Sequence, residues 1–225
     1  MKSSTLRTAF LDTVPVMTGY LFLGFGFGIY LNENGYGLLW AFAMSLFIYA
    51  GSMQYVAVSL MTGGANLLVT ALTTLMVNAR HLFYGISMVD RYKGTGRKKP
   101  YLIFALTDET YSLVSQGTHS HGYYFLVSLF DQFYWVAGSV LGSLVGTMIP
   151  LNYEGIDFVL TALFVTIFVE QWLSSDDHLP AITGVAATLL CLLLFGSDIF
   201  LIPSMVIIAV VLTVMGKTKR RDRHG

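Results

Sequence analysis

The sequence predicts an all-α fold, a polytopic transmembrane helical bundle in which some helices are broken or re-entrant. The first observation is composition, because 55% of the 225 residues are hydrophobic and only 12% are charged. A water-soluble domain of this length cannot hide so much apolar surface. The other two observations are a series of long apolar runs and a clustering of the basic residues between them. All three are typical of a membrane domain.

Apolar runs divide the whole chain, at about 14–31, 38–61, 65–89, 101–116, 122–149, 156–173, 180–195 and 199–216. A helix needs ~20 mainly apolar residues to cross the bilayer core, so this length allows several crossings and no separate soluble domain. We therefore predict one transmembrane domain over residues 1–225. The first run is long, lacks a small-x-small cleavage site and precedes many similar runs, so we assign it as a span and not as a signal peptide.

The basic residues predict the orientation of the chain. Apart from Arg80 they form three clusters: Lys2 and Arg7; Arg91, Lys93, Arg97, Lys98 and Lys99; Lys217, Lys219, Arg220, Arg221 and Arg223. The positive-inside rule puts all three clusters, and with them both termini, on the cytoplasmic side of the cytoplasmic (inner) membrane. An even number of crossings must then separate successive clusters. Three runs precede the middle cluster and five follow it, so in each half at least one run must be broken, re-entrant or interfacial.

In the first half, the 38–61 run is the place where a break is expected. Ala50, Gly51 and Ser52 supply flexible backbone there, and Gln54 adds a polar side chain at mid-depth. Unwound backbone is tolerated in a bilayer only where it is buried or lines a cavity, and many transporters build a binding site from such half-helices. The alternative is that these small residues simply let helices pack closely.

A weak internal repeat suggests an inverted repeat of two halves, residues 10–89 and 122–216, joined by residues 90–121. Asp12 is followed by Gly19 seven residues later, and Asp131 is followed by Gly138 at the same spacing. Each of these segments continues into GxxxG patterns, formed by Gly24 and Gly28 in the first and by Gly138, Gly142 and Gly146 in the second. Paired halves around a pseudo-two-fold axis are common in transporters, but two matches this short also arise by chance.

Polar groups at the end of the third run are the first candidates for function. An ionisable group within a span costs ~2.5–3.5 kcal/mol on insertion scales and marks a pathway or a pair. On a helix, Asn78 and His81 share one face, whereas Arg80 and Tyr84 share another. Arg80 could hold a substrate carboxylate bidentately, or it could form a structural ion pair with a carboxylate of the next run.

That next run, 101–116, contains the adjacent carboxylates Asp108 and Glu109. The run is too short and too polar for a lipid-facing helix, so we expect it to lie against the protein interior. Its carboxylates could bind a proton or anchor Arg80. Asp131 and Glu170 are further pathway candidates. The alternatives are a helix start for Asp131, which precedes the long glycine span, and a position near water for Glu170, at the end of its run. Asp12 precedes Pro15, a pattern that predicts an N-cap at the start of a helix.

Three strings in the first half carry a family resemblance: Tyr49-Ala50-Gly51-Ser52-Met53-Gln54-Tyr55, Val77-Asn78-Ala79-Arg80-His81-Leu82-Phe83-Tyr84-Gly85 and Leu106-Thr107-Asp108-Glu109-Thr110-Tyr111. With the basic loop between the last two, they resemble the AzlC family of branched-chain amino-acid permeases. The likeness in length and motif order runs along nearly the whole chain, although the specific motifs cover only about residues 10 to 111.

The resemblance implies a two-component secondary transporter that exports valine, leucine or isoleucine, with methionine as a further candidate. This chain would be the large subunit, and its partner would be a small AzlD-type membrane subunit. The resemblance also implies a family core made of Ala50 to Gln54, Asn78, Arg80, His81, Tyr84, Asp108 and Glu109. A proton at Asp108, Glu109 or His81 is the expected coupling ion, with sodium as the alternative.

Other functional classes fit the sequence less well. HExxH and GxSxG are both missing from the sequence, so we expect no enzyme, and the single cysteine, Cys191, leaves no basis for a disulfide, a metal site or a cofactor. With zero net charge, the chain lacks the basic surface of a nucleic-acid binder, and its expected surroundings are the lipid bilayer. A small-solute or ion channel subunit lined by the glycine-rich spans is the main alternative, and a purely structural subunit is another.

Overall fold

The computed structural model describes residues 3–117, 119–148, 162, 165–166, 168–169, 172–173, 175, 177–196 and 200–221. Their regular structure is helical throughout, which confirms the predicted all-α class. The chain divides into two compact units, Met1–Leu163 and Phe164–Gly225. Of the described helices, Ser4–Glu33 and His121–Met148 are long and apolar enough to cross a membrane unaided.

In chain order the helices of the first unit are α1 (Ser3–Glu33), α2 (Leu38–Phe47), α3 (Gly51–Thr62), α4 (Leu67–Val77), α5 (Ala79–Ser87), α6 (Lys99–Phe104), α7 (Asp108–Val114) and α8 (His121–Met148). A short 3-10 helix, Gly96–Lys98, precedes α6. The second unit contains α9 (Leu179–Phe195) and α10 (Leu201–Arg221), which pack against each other.

The packing of α1 against α8 forms the centre of the first unit. Their glycines allow it, because a Cβ on Gly24 would lie 3.0 Å from the Trp135 carbonyl oxygen and one on Gly138 would lie 2.9 Å from the Leu21 carbonyl oxygen. Gly28 and Gly142 are closer still to the opposite backbone. The contacts advance along both helices in the same direction, so α1 and α8 are parallel. The two GxxxG patterns therefore serve helix packing.

The end of this unit where α1 and α8 start also contains residues 88–98, and we call it the basic end. Met88 and Tyr92 pack there with Ala9, Tyr123 and Tyr124 in one apolar cluster. Because α1 and α8 are parallel, their last turns lie together at the opposite end, where Asn32 Nδ2 donates to the Ser143 carbonyl oxygen at 2.7 Å.

The first hairpin, α2 and α3, enters from the end opposite the basic end. Its helices have 10 and 12 residues, about 15 and 18 Å, or half of a bilayer core each. Tyr55 of α3 donates to the Leu23 carbonyl oxygen of α1 at 2.9 Å, and Ser59 lies 3.1 Å from the Tyr30 hydroxyl, so α3 runs back outward beside α1. The break expected within 38–61 is confirmed, and the chain reverses direction there.

The tip of the first hairpin is residues 48–50. Tyr49 has φ 45°, a left-handed conformation that costs a non-glycine residue about 1–3 kcal/mol. Ala50 is the N-cap of α3 and, with its methyl side chain, makes no side-chain capping hydrogen bond. The chain thus reverses between α2 and α3 through a strained turn.

Beyond α3 the chain returns to the basic end through α4 and α5. The two helices contain 11 and 9 residues, and only Asn78 separates them, so in series they extend about 30 Å. Ser87, at the end of α5, donates to the Tyr111 hydroxyl at 3.1 Å. Arg91 then donates to the carbonyl oxygens of Val114 and Gly117, which ties the basic loop to the residues around the end of α7.

A second hairpin, α6 and α7, enters from the basic end. Its tip is residues 105–107, and all three of these residues are buried. The rings of Tyr49 and Phe104 have centroids 6.1 Å apart, so the two hairpins meet near their tips. The expectation that the 101–116 run faces the protein interior is thereby confirmed at Leu102, Thr110 and Val114, which are buried.

Candidate functional site

The meeting point of the two hairpins contains the buried polar centre of the first unit. Tyr20 of α1, Thr107 and Thr110 of the second hairpin and Asp131 of α8 are all buried there. Glu109 of α7 is partly exposed. Buried polar groups persist in such surroundings only when they hydrogen-bond to one another or to a ligand, so this centre is the candidate site.

The start of α7 is formed by a local capping interaction. Thr107 Oγ1 accepts from the Thr110 backbone N–H at 3.3 Å, as expected of an N-cap threonine. Asp108 and Glu109 then occupy the first turn, where the helix dipole favours negative charge. The sequence Thr107-Asp108-Glu109-Thr110 therefore fixes two carboxylates at the hairpin tip.

A continuous line of hydroxyl groups connects two of the carboxyl groups, and we call it the hydroxyl line. Tyr20 Oη lies 2.7 Å from Glu109 Oε2 and 2.6 Å from Thr107 Oγ1. Thr107 Oγ1 lies 3.0 Å from Thr110 Oγ1, which lies 2.7 Å from Asp131 Oδ2. Groups from α1, the second hairpin and α8 thus form one connected network.

Asp131 is the fully enclosed end of the line. Its second oxygen, Oδ1, has no hydrogen-bond partner among the described residues. Tyr49, at the tip of the first hairpin, and Tyr101 of α6 are both close enough to interact electrostatically with this carboxyl. Tyr101 also donates to Gln132 Oε1 at 2.8 Å, so the second hairpin is held against α8 beside the site.

Gln54 holds the first hairpin in position. Its Oε1 accepts from Trp135 Nε1 at 2.8 Å, and its Nε2 donates to Ser45 Oγ at 3.2 Å. Gly51 packs on the same indole, since a Cβ there would meet the ring at 2.9 Å. Of the predicted tip residues, Ala50 and Gly51 therefore form the turn, the Ser52 side chain is buried next to it, and Gln54 ties both arms to α8.

Of the predicted residues around the α4–α5 break, Tyr84 contacts the second hairpin. Asn78 is the C-cap of α4, and its carbonyl oxygen accepts from the His81 N–H at 2.9 Å. The Tyr84 ring stacks on Tyr111 of α7 with centroids 4.4 Å apart. The side chain of Arg80 lies outside the described residues, so its expected pairing with Asp108 or Glu109 stays a prediction.

Two other sequence expectations have different outcomes. Asp12 does not cap a helix, because it lies well inside α1, and its Oδ2 accepts from the Tyr123 hydroxyl at 2.7 Å. Pro15 is likewise accommodated within that helix. Glu170 lies outside the described residues, so its place in the pathway stays a prediction.

Sequence reasoning missed Tyr20, Thr107, Thr110 and Tyr49. Tyr49, Thr107 and Thr110 lie within the strings that carry the family resemblance, but they were not singled out as site residues. Thr107 had a further local signal, because a threonine before two acidic residues is typical of a helix start. Tyr20 is one of many aromatic residues in an apolar span, and its partner Thr107 is 87 positions away.

Comparison with known proteins agrees with these motifs. The model of the AzlC protein family matches residues 15–149, which include both hairpins, the hydroxyl line and all of α8. The chain belongs to the AzlC family. Helices α9 and α10 lie beyond the family match.

Several proteins resemble this AzlC-family chain along most of its length. A Bacillus subtilis protein named "Branched-chain amino acid transport protein AzlC" is 44% identical over 95% of this chain and 86% of its own length. A Helicobacter pylori protein named "Uncharacterized membrane protein" is 39% identical over 94% of this chain and 95% of its own length. "Inner membrane protein YgaZ" of Escherichia coli is 26% identical over 93% of this chain and 88% of its own length. No solved structure matches the chain. The family and these names identify a membrane protein.

Proposed function

We propose that this chain is the large subunit of a secondary transporter that exports branched-chain amino acids across the cytoplasmic membrane. The observation that supports it best is the 44% identity, over 95% of the chain, with a protein named for branched-chain amino-acid transport. A small AzlD-type membrane protein is the proposed partner. Valine, leucine and isoleucine are the proposed substrates, with methionine as a further candidate.

The two hairpins give this proposal a physical route. One enters from each end of the unit, and their tips meet at mid-depth beside Tyr49 and Phe104. Transporters commonly place the substrate at such a midplane site and expose it to each side in turn. Small movements of one hairpin at a time would open the site to one side only.

The site also contains the chemistry that an amino acid requires. Helix α3 begins at Gly51, and its N-cap Ala50 makes no side-chain capping hydrogen bond, so this N-terminus suits a substrate carboxylate. Asp131 Oδ1, buried with no hydrogen-bond partner in the described part of the chain, suits the substrate ammonium. The neighbouring rings of Tyr49 and Phe104 suit an aliphatic side chain.

The orientation follows from the charges. Arg7 and the basic cluster of residues 91–99 belong to segments that lie at the basic end, so this end would face the cytoplasm. The first hairpin would then enter from the outside and the second from the cytoplasm. The C-terminal basic cluster supports a cytoplasmic C-terminus by the same rule.

A channel is the alternative function, and the packing of the glycines disfavours it. A pore lined by the glycine-rich spans needs those faces to be open. In the first unit the faces around Gly24, Gly28, Gly138 and Gly142 are covered by the opposite helix backbone. The name of the Bacillus relative likewise supports a transporter and not an enzyme.

The test is counterflow of radiolabelled valine, leucine, isoleucine and methionine in proteoliposomes that contain the chain with and without an AzlD-type subunit. We expect saturable exchange that requires the partner. An unsaturable flux that accompanies an ionic current would indicate a channel instead. If none of the four amino acids exchanges in either preparation, the proposed substrate class is wrong.

A further inference from the structure

The number of hydrogens in the hydroxyl line restricts the charges of the two carboxyl groups at its ends, Glu109 and Asp131. Five groups, Glu109, Tyr20, Thr107, Thr110 and Asp131, make four successive O···O contacts of 2.6–3.0 Å. Each contact of this length needs one hydrogen between its oxygens. Every hydroxyl supplies one hydrogen and an ionised carboxylate supplies none. The three hydroxyls therefore provide three hydrogens for four contacts.

If both carboxyls were ionised, one contact would have no hydrogen. When Tyr20 donates to Glu109, Thr107 to Thr110 and Thr110 to Asp131, all three hydroxyl hydrogens are used. The 2.6 Å contact between the oxygens of Tyr20 and Thr107 is then repulsive. One additional proton on either carboxyl completes the set.

We propose that Glu109 and Asp131 share a single proton and that the hydroxyl line carries this proton between them. That the proton drives substrate movement rests on the transport function proposed above. The sharing itself depends only on the contacts of the line.

The transfer conserves four O–H bonds. In one state Glu109 donates to Tyr20, Tyr20 to Thr107, Thr107 to Thr110, and Thr110 to ionised Asp131. Each hydrogen then moves across its contact to the next oxygen. In the resulting state Asp131 is the acid, all four hydrogen bonds point the other way, and Glu109 is ionised. One proton has moved from Glu109 to Asp131 without any side chain changing place.

The two ends of the line differ in access. Glu109 is partly exposed, whereas Asp131 is fully buried between the hairpin tips. A proton that enters at Glu109 is thus delivered to the carboxyl that would meet the substrate ammonium. Since that ammonium favours ionised Asp131, substrate binding would return the proton to Glu109.

The helices that pack around the hydroxyl line contain other titratable groups. Tyr49 comes from the first hairpin, Tyr101 from α6 and Asp108 from α7. Tyr123 of α8 is hydrogen-bonded to Asp12 of α1. Helix α5, which packs on α7 through Tyr84 and Tyr111, also contains His81. Their charges set which end of the line holds the proton, but they leave the count of four contacts unchanged.

Infrared spectroscopy of the purified full chain in nanodiscs tests the sharing without any transport. We compare the carboxylic-acid C=O band at neutral pH in wild type, Glu109→Gln and Asp131→Asn. An amide at either end donates the fourth hydrogen and leaves the other carboxyl ionised. Each variant should therefore lose the same single band, whereas Asp90→Asn, at an exposed carboxyl, should retain it. A band that disappears in only one of the two variants, or in neither, overturns the proposal.

Transport measurements test whether the proton on the hydroxyl line drives substrate movement. Tyr20→Phe and Thr110→Val interrupt the line, so they should lower accumulation driven by a pH gradient about 100-fold more than they lower counterflow at equal pH. Thr110→Ser restores the hydroxyl and should restore coupling. Tyr30→Phe, on the same helix as Tyr20 but bonded to Ser59, is the matched control. Gradient-driven accumulation at the wild-type rate in Tyr20→Phe or Thr110→Val overturns the relay. Absence of counterflow in wild type would instead refute the proposed function and leave the infrared result standing.

Discussion

The indole Nε1 of Trp135 donates a 2.8 Å hydrogen bond to Oε1 of Gln54. This bond joins the spanning helix α8 to the first hairpin one turn beyond its tip. Because Gln54 also bonds to Ser45 on the other arm, a single amide fixes both arms of the hairpin. The position of Tyr49 near Asp131 therefore depends on this contact.

Trp135→Phe should destabilise the protein and weaken transport. The change keeps an aromatic ring but leaves the buried Gln54 oxygen without its donor, at a cost of about 1–3 kcal/mol. Thermal unfolding in detergent measures the loss, and counterflow measures the effect on the site.

The control for this variant is Trp40→Phe. Trp40 is half exposed on α2, so its replacement should leave the unfolding temperature close to that of wild type. An equal loss in both variants would show that any tryptophan change destabilises the protein, and the Gln54 contact would lose its special role.

The first hairpin could be predicted in part from the sequence. Its break was predictable because Ala50, Gly51 and Ser52 interrupt a run without charges, and because the basic clusters require an even number of crossings. The second hairpin was predictable only as an interior segment. The line through Tyr20 was not predictable, since hydrogen bonds across 87 or 21 positions depend on how α1, α7 and α8 pack. The prediction for Asp12 was wrong because Pro15, usually a signal of a helix start, lies inside α1.

Gly28→Val should prevent the close packing of α1 and α8. A side chain at this position would collide with the backbone at Ser139 and Ser143, which cannot move aside as a flexible side chain could. Overpacking of this kind costs about 1–3 kcal/mol or more. We expect lower yield of folded protein by size-exclusion chromatography and a lower unfolding temperature.

Gly19→Ala provides the contrast on the same helix. No atom lies within 4 Å of the position where its Cβ would be. Alanine also favours the helix over glycine by about 0.5–1 kcal/mol, so this variant should be as stable as wild type or slightly more stable. If Gly19→Ala destabilised the protein as much as Gly28→Val, the glycines would have a role other than close packing.

Tyr111→Ala should loosen the second hairpin. The Tyr111 ring stacks on Tyr84 at 4.4 Å, and its hydroxyl accepts from Ser87, so the residue attaches α7 to α5. Stacked aromatic pairs contribute about 0.5–1.5 kcal/mol beyond their buried area. Proteolysis at the basic end should become faster. Tyr111→Phe keeps the ring and should be cleaved at nearly the wild-type rate, and rapid cleavage of this variant would assign the effect to the hydroxyl.

Cysteine labelling should place the two hairpins on opposite sides of the membrane. The native Cys191 is first replaced by alanine, and one new cysteine is then introduced at exposed Thr62, at the end of α3, or at exposed Lys93, in the basic loop. Because α3 runs outward and residues 88–98 lie at the basic end, an impermeant maleimide should label Thr62→Cys in intact cells. Lys93→Cys should react only in inverted vesicles.

The same experiment separates a re-entrant hairpin from a full crossing. If α2 and α3 together crossed the membrane once, positions 34 and 62 would lie on opposite sides. The contacts of Tyr55 and Ser59 with α1 instead show that α3 returns toward the end from which α2 entered. Asn34→Cys, at the start of the first hairpin, should therefore be labelled from the same side as Thr62→Cys. Labelling of these two positions from opposite sides would mean that the 38–61 run is a single broken span, and the two hairpin tips could not then approach the site from opposite ends.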